Sequence, residues 1–506
     1  MTTNRRDFIK YVVAGSIAAG CPVDLALLSA QTAEPTLDSE DNHICHQVRD
    51  GKEFTLPPSS ARHDFVIVGG GISGLTAAYL LRHRDFLLLE KEPHWGGNAY
   101  LMDYQGSDYA TGTAFIWSGD VAYSFAKEIG LTPLPVNDWD GCIINGEFVA
   151  DTWGDGLDKL PYPANVRDSF KKFKKDMLAI DMKKREKELY EVPFSDFMKD
   201  YSSEVKLFWD TYGPSNWGAQ TQDTAAALGI GEFQDTAKEN RKDLRYTWPG
   251  GNGAISKRLT EILEAKAKSH LLGGATTVAV VPEKDGVQVT YMLDGELKTV
   301  TARAVIMATP KFITRRIVQG IPDAQRAAMH QIRYIPYPVV NLIFDKPVFE
   351  KGYDTWCPGN TFTDFIVADW VVRNQPGYKQ KNNILSFYTP LKEHDRAKLL
   401  TDQGAKQVAA NVLADFQKLF PGSNVDPVEV HIYRRGHPMY MSTPGLFTQV
   451  QPVVRQPMER VFFANTDSEG PESSTNEAIK AARRAVKEAE NRLAGKATRK
   501  EGAVAG

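Results

Sequence analysis

The run Asp64-Phe-Val-Ile-Val68-Gly69-Gly70-Gly71-Ile72-Ser73-Gly74 constrains this chain more than any other feature. Its first half is a short apolar run of the kind buried in a parallel sheet. Its second half is Gly-x-Gly-x-x-Gly. Leu75 to Arg82 is predicted as a helix, and Phe86-Leu-Leu-Leu89 as a second strand ending at Glu90. The unit is β-α-β, with an acid at the end of its second strand. Gly69 permits the tight strand-to-helix turn, Gly71 lets backbone N–H groups approach a pyrophosphate, and Gly74 lets the helix pack close to the sheet. The helix start at Ile72 and Ser73 adds partial positive charge facing phosphates. Glu90 is placed to accept hydrogen bonds from adenosine ribose hydroxyls. A dinucleotide site is therefore expected at the front of the fold.

The remaining composition mostly excludes. A chain of 506 residues holds two to four folding units. Its net charge of −3 lacks the basic excess of a dedicated nucleic-acid binder. Four cysteines, at 21, 45, 142 and 357, are too few for a disulfide scaffold and lack zinc-type spacing. His43, Cys45 and His46 are ligand types close together, but no further ligands are identifiable and no metal site is expected.

Residues 4–10 read Asn-Arg-Arg-Asp-Phe-Ile-Lys, followed by a mild apolar stretch from Tyr11. Twin arginines before a short apolar region resemble a twin-arginine export signal. The uncharged run ends at Asp24 and is interrupted by Pro22, short of the roughly 20 residues that span a bilayer. Ala18-Ala19-Gly20-Cys21 resembles a lipoprotein box, in which Cys21 would be acylated and tether the chain to a membrane. Leu28-Ser29-Ala30 offers a competing site for soluble release. The expected location is periplasmic or exported. Residues 31–61, polar and ending in Leu-Pro-Pro-Ser-Ser, read as a linker.

Beyond Glu90, the run Leu89-Glu-Lys-Glu-Pro-His-Trp-Gly-Gly-Asn98 resembles the second glycine signature of the flavin-containing amine oxidase superfamily, which includes protoporphyrinogen oxidases and phytoene desaturases. The resemblance implies FAD. It assigns Lys91 to the cofactor site, lays Gly96 and Gly97 against the pyrophosphate, and puts Asn98 where a basic residue is usual. Asp108-Tyr-Ala-Thr-Gly-Thr-Ala-Phe-Ile116 looks like the stretch passing the flavin ring, which implicates Gly112 and Thr113. Trp248-Pro-Gly-Gly-Asn-Gly-Ala-Ile255 is similar to the family's central glycine turn. Thr277 to Val281 and Ala304 to Pro310 look like its return to the nucleotide sheet, where backbone near Val278 meets adenine. Arg460-Val-Phe-Phe-Ala464 and the helix from Asn476 resemble the closing strand and helix. A helix N-terminus there stabilises negative charge on reduced flavin. This implicates Asn476, Glu477 and Ala478, with Asp467 beside them.

The implied fold is α/β: a Rossmann-like FAD-binding domain in three pieces (62–119, 246–325, 456–495) and a second, α+β substrate domain in two (120–245, 326–455). A signal (1–30) and a disordered tail (496–506) flank them. No cysteine lies late in the chain, so the FAD is expected to be non-covalent. There is no second dinucleotide fingerprint, which leaves O₂, a quinone or a redox protein as electron acceptor. Amine oxidases often carry a lysine where this chain has Pro338 and Val339. The lysine-rich stretch 171–187 reads as a solvated helix face, because acids are interleaved. His437 and Tyr440 sit where the family's chain passes the flavin, but no catalytic base is identifiable. The expectation is an exported FAD-dependent oxidoreductase that oxidises a C–N or C–C bond of a small molecule by hydride transfer to flavin N5. The alternative is a flavin-bearing binding or assembly subunit without turnover of its own.

Overall fold

The computed structural model describes residues 33–237, 242–267, 270–420 and 426–495. Arg5, Arg6, Cys21, both candidate cleavage sites and the tail from 496 lie outside the described residues.

The first apolar run becomes the strand Ala61–Val68, whose last four residues are fully or almost fully buried. It is the parallel neighbour of Phe86–Leu89 on one side and of Glu296–Met307 on the other. Helix Ile72–Leu80 connects the first two strands, and all but its last residue is buried. That burial explains its composition: small and apolar residues all round suit a helix covered on every face.

Strand Glu296–Met307 serves two sheets in one. Its first half pairs antiparallel with Gly286–Leu293, which pairs in turn with Thr276–Glu283. Its second half runs parallel to Ala61–Val68 and to the late strand Val461–Phe463. With the short strand Leu271–Leu272 these make a seven-stranded sheet. Helices Ile72–Leu80, Gly253–Ala267 and Thr475–Leu493 pack against it, burying Leu75, Ile255, Leu259 and Ile479.

A second sheet of eight strands stands opposite, with the order 36–39, 429–434, 339–344, 383–388, 364–367, 354–356, 141–144 and 147–149. Val339–Phe344 is buried throughout at its centre. The hairpin Gly141–Ile144 and Glu147–Val149 turns at Asn145 and Gly146, both at positive φ. Below this sheet, helices Ala164–Leu178, Ser203–Trp217 and Ala226–Ala237 enclose an aromatic core of Trp153, Phe173, Trp209 and Phe233. Of the lysines in residues 171–187, Lys174 is half-buried and donates to Trp153 O at 2.7 Å; the others are exposed, and Lys171, Lys172 and Lys184 pair with Asp158, Asp176 and Asp181. Among the described residues no helix is long and apolar enough to cross a membrane.

Two expectations change. Helix Val121–Glu128 buries Ala122, Phe125 and Ala126 in the nucleotide-sheet core, so that core extends past residue 119. The described part of the expected linker is no tether. Thr36–Ser39 is an edge strand of the second sheet, parallel to Glu429–Arg434, and His43–Arg49 is a helix. Backbone hydrogen bonds hold such a strand, so a polar composition did not reveal it.

Candidate functional site

A cavity of about 1060 Å³ opens at the C-terminal ends of the parallel strands, between the two sheets. That lies at the upper end of the roughly 300–1,000 Å³ typical of ligand sites, a size that suits a dinucleotide. Open α/β sheets bind ligands at this end of their strands.

The front wall is the glycine cradle. Gly69 has φ +106°, and a Cβ there would come within 2.9 Å of Ala308 O. A Cβ on Gly74 would overlap Gly69 O. Gly71 differs: a Cβ there would have only Gly96 O and Gly97 Cα near it, at 3.9 and 4.0 Å. Its empty side therefore belongs to the cavity. Gly96 and Gly97, both at positive φ, close the cradle from the other side, and Gly71 bridges Gly96. Ile72 and the backbone of Ser73 line the space, while the Ser73 hydroxyl donates to Ala478 O at 2.9 Å and also to Ala464 O. Ser73 thus braces the closing segment with its side chain.

Glu90 is buried at the adenosine end. It accepts from Gly70 N at 2.5 Å and from Glu92 N at 2.9 Å. Burial pushes its carboxyl above the ordinary range despite these bonds. A carboxylate has about four acceptor positions, so two remain for ribose hydroxyls. Lys91 pairs with Glu92 and lies 3.9 Å from Glu40. The hydroxyl oxygens of Thr113 and Thr277 are buried on the cavity wall with no hydrogen-bond partner among the described residues. Buried orphan hydroxyls, an open Gly71 and an acid at the second strand's end fit FAD.

Four expected residues sit differently. Val278 is left out of the ladder by a bulge between Thr277 and Ala279, and Thr276 and Thr277 line the cavity in its place. Asn98 donates its amide to Pro438 O at 2.6 Å; a short neutral side chain reaches the opposite wall where a long basic one would extend to phosphate. Gly112 is a close-approach residue, since a Cβ there would overlap Asn98 O; its neighbour Thr113 faces the cavity. Asp467 faces away from the cavity. It is fully buried against Lys311: Lys311 Nζ donates to Oδ1 at 2.6 Å, and Lys311 N and Tyr334 OH donate to Oδ2 at 2.8 and 2.6 Å. Burial pushes the Lys311 ammonium down, with Asp467 opposing. The pair ties the end of Val461–Phe463 to helix Lys311–Ile317.

The closing helix Thr475–Leu493 points its N-terminus at the cavity, where Ser474, Thr475 and Ala478 form the wall. The side chains of Asn476 and Glu477 turn aside: Asn476 Oδ1 accepts from Ala122 N, and Glu477 Oε1 accepts from Lys480 Nζ at 2.8 Å. Ser474 Oγ caps Glu477 N at 3.3 Å, so the helix offers the backbone N–H groups of Thr475 and Asn476, an arrangement that favours an anionic ligand group. His437 lines the cavity against the Phe312 ring, and burial with Arg396 nearby pushes its imidazole down to about 4, so it is neutral at pH 7. Tyr440, almost fully buried, lines the same cavity.

Beyond the Thr113 wall lies an aromatic roof, whose tyrosines stand outside the cavity lining. Tyr388 OH donates to Gly112 O at 2.6 Å, joining the second sheet to the 108–116 stretch. Tyr337 and Tyr353 pack with Tyr388 around Val339, so the lysine-less position carries a buried aliphatic side chain. Behind the roof stand buried carboxylates. Arg245 binds Asp140 and, at 3.0 Å, Asp243. Asp364 accepts from Ser215 and Thr363 hydroxyls at 2.8 and 2.6 Å, and burial still pushes it up. Glu232, bonded by Tyr212 OH at 3.0 Å, is pushed up to about 7, and Glu472 to about 8, in both cases by burial. Sequence reading missed these carboxylates and Lys311, because a lone acid or lysine carries no spacing signal. Among the described residues no group of three or more potential ligands is placed to hold a metal.

The family of flavin-containing amine oxidoreductases matches residues 72–489. Oxidoreductase PigB of Serratia sp. is 23% identical over 497 residues, covering 82% of this chain and 73% of that protein. Flavin-containing amine oxidase A of Sus scrofa is 24% identical over 493 residues, covering 87% and 86%. Putrescine oxidase bound to putrescine superposes with a TM-score of 0.65 at 18% identity, over 85% of this chain and 99% of that one. Cyclohexylamine oxidase from Brevibacterium oxydans gives the same TM-score, 0.65, at 18% identity, over 85% and 99%. A nucleotide cavity of this build and a family match over most of its length make this chain a member of the flavin-containing amine oxidoreductases, an FAD-dependent oxidoreductase whose cofactor is held without a covalent bond.

Proposed function

We propose that this protein is an exported oxidoreductase acting on a small cationic amine. The observation that carries the reading is the surplus of carboxylates behind the aromatic roof. Glu232, Asp364 and Glu472 are pushed up by burial, and neighbouring carboxylates add to the shift. An ammonium group entering that side supplies the missing charge, and aromatic faces add cation–π attraction. A polyene would supply neither. Related proteins that carry amine oxidase names support the same choice.

Bound FAD supplies the hydride acceptor at N5. Loss of a hydride from the substrate's α-carbon and of one proton from its ammonium nitrogen to solvent would leave an iminium ion, which water hydrolyses. The chain's part is to hold the reacting C–H beneath the roof, exclude water with Tyr337, Tyr353 and Tyr388, and favour negative charge with the N-terminus of helix Thr475–Leu493. With no lysine at 338–339, a quinone or redox protein is the proposed electron acceptor in preference to O₂. The twin arginines and Cys21 support export, with a lipid tether at Cys21 as one form of the mature chain.

The test is anaerobic mixing of the oxidised holoprotein with monoamines, diamines, polyamines and polyenes while flavin absorbance is followed. Rapid bleaching by an amine, and slow recovery in air compared with a soluble quinone, are expected. Bleaching by a polyene alone would overturn the amine assignment. Recovery in air as fast as steady-state turnover would overturn the acceptor.

A further inference from the structure

Residues 36–50 join the two halves of the molecule across the cavity. Thr36–Ser39 is registered on the second sheet, Thr36 opposite His431 and Ser39 opposite Arg434. Asp38 lies 3.5 Å from Arg435 Nη1. The chain then crosses over. Asp41 N donates to Glu92 Oε1 at 3.0 Å, and Glu40 lies 3.9 Å from Lys91 Nζ, so this stretch is anchored on the nucleotide side. Helix His43–Arg49 packs against strand Thr276–Glu283 and helix Lys311–Ile317.

A seven-residue helix does not stand alone in water and needs tertiary packing. None of the residues of His43–Arg49 is fully buried by protein, although Asp41 Oδ1 accepts from its first N–H, that of His43, at 3.0 Å. Its packing partner is therefore incomplete. The side chains of His43, Cys45 and His46 line the cavity. Cys45 sits within the field of Lys91, Glu40 and Glu90, the acid at the ribose position.

We infer that residues 36–50 form a clasp over the adenosine half of FAD, with Cys45 and His46 against the cofactor and strand Thr36–Ser39 as the catch. The bound nucleotide completes the burial of the helix. Its departure requires the helix to lift, with the strand and the Asp41–Glu92 bond, both on its N-terminal side, resisting. Retention of FAD is then a property of a segment outside the glycine cradle.

Two measurements test this. The first is alkylation of Cys45 by N-ethylmaleimide in the wild-type protein, followed by peptide mass. The holoprotein should react at least about tenfold more slowly than the apoprotein, equivalent to about 1.4 kcal/mol of protection. The second is the double variant Asp38→Lys/Glu40→Lys, which sets like charges against Arg435 and Lys91. Release of FAD, followed by the rise in free-flavin fluorescence after dilution, should be at least about tenfold faster, with the far-UV circular dichroism of the apoprotein unchanged. Equal alkylation rates with and without FAD would overturn the clasp, as would unchanged FAD release in the folded double variant. If the double variant does not fold, the wild-type alkylation rates decide alone.

Discussion

The glycine cradle and the closing segment face each other across one cavity and are built on opposite principles. The cradle works by missing atoms. Gly69, Gly74, Gly96 and Gly97 allow backbone to meet backbone, and Gly71 leaves room for the ligand. The closing segment works by added partners: Asp467 is held by Lys311 and Tyr334, and Asn476 by Ala122 N. An absence at fixed spacing tolerates almost no substitution and is visible in one sequence. A pairing can be made by many residue combinations, and neither member is conspicuous until the fold brings them together.

The contrast can be broken from either side. Gly71→Val should give the largest effect on cofactor and little on fold, since a Cβ there meets no protein atom closer than 3.9 Å and φ is −72°. FAD affinity should fall by at least about 10³-fold, about 4 kcal/mol, with the thermal midpoint of the apoprotein unchanged. Equilibrium binding by flavin fluorescence quenching and a melt of the apoprotein check both halves. If the apoprotein melts much earlier, the cradle is a folding element and the contrast fails.

Asp467→Ala should do the reverse. It strands the buried Lys311 ammonium, a loss of about 3–5 kcal/mol in stability. Denaturant unfolding should register this in apo and holo forms alike. Lys311→Met/Asp467→Leu, which removes both charges, should recover most of it. A single variant as stable as wild type would show the pair to be incidental.

A smaller effect sharpens the comparison on the substrate side. Glu472 follows the closing strand, and burial raises its carboxyl to about 8, so the fold favours the protonated form. The stability this brings is present in full below the ordinary carboxylate range and is lost as pH rises through about 8. The thermal midpoint should fall by about 2 °C between pH 6 and pH 9, and Glu472→Gln should flatten that slope. A slope unchanged in Glu472→Gln would assign the titration elsewhere.

What was legible in the sequence follows the same division. Strand Ala61–Val68, helix Ile72–Leu80, strand Val339–Phe344 and the absent lysine at 338–339 were readable because apolar runs and glycines carry positional meaning. The strand Thr36–Ser39 was not, because its partner lies almost four hundred residues away and only Leu37 of its four side chains is apolar. Asn98 illustrates the middle case. Its place on the cavity wall was readable, but its direction toward Pro438 depends on a segment that only the fold brings near. The carboxylates around Arg245 were invisible for the same reason: Asp140, Asp243 and Asp354 come from three separate stretches.

The strand Glu296–Met307 has a temporal meaning as well as a spatial one. One edge of its parallel half finds residues 61–68 already made, and the other waits for residues 461–463, made long after. Closure of the nucleotide sheet is thus among the last events of synthesis, and pairings this distant in sequence form slowly. Helix Thr475–Leu493, which supplies the far wall of the cavity, follows still later. Flavin loading is accordingly a step that comes after translation. Any truncation before residue 478 removes the wall and leaves a chain that can begin the cradle but never finish the site.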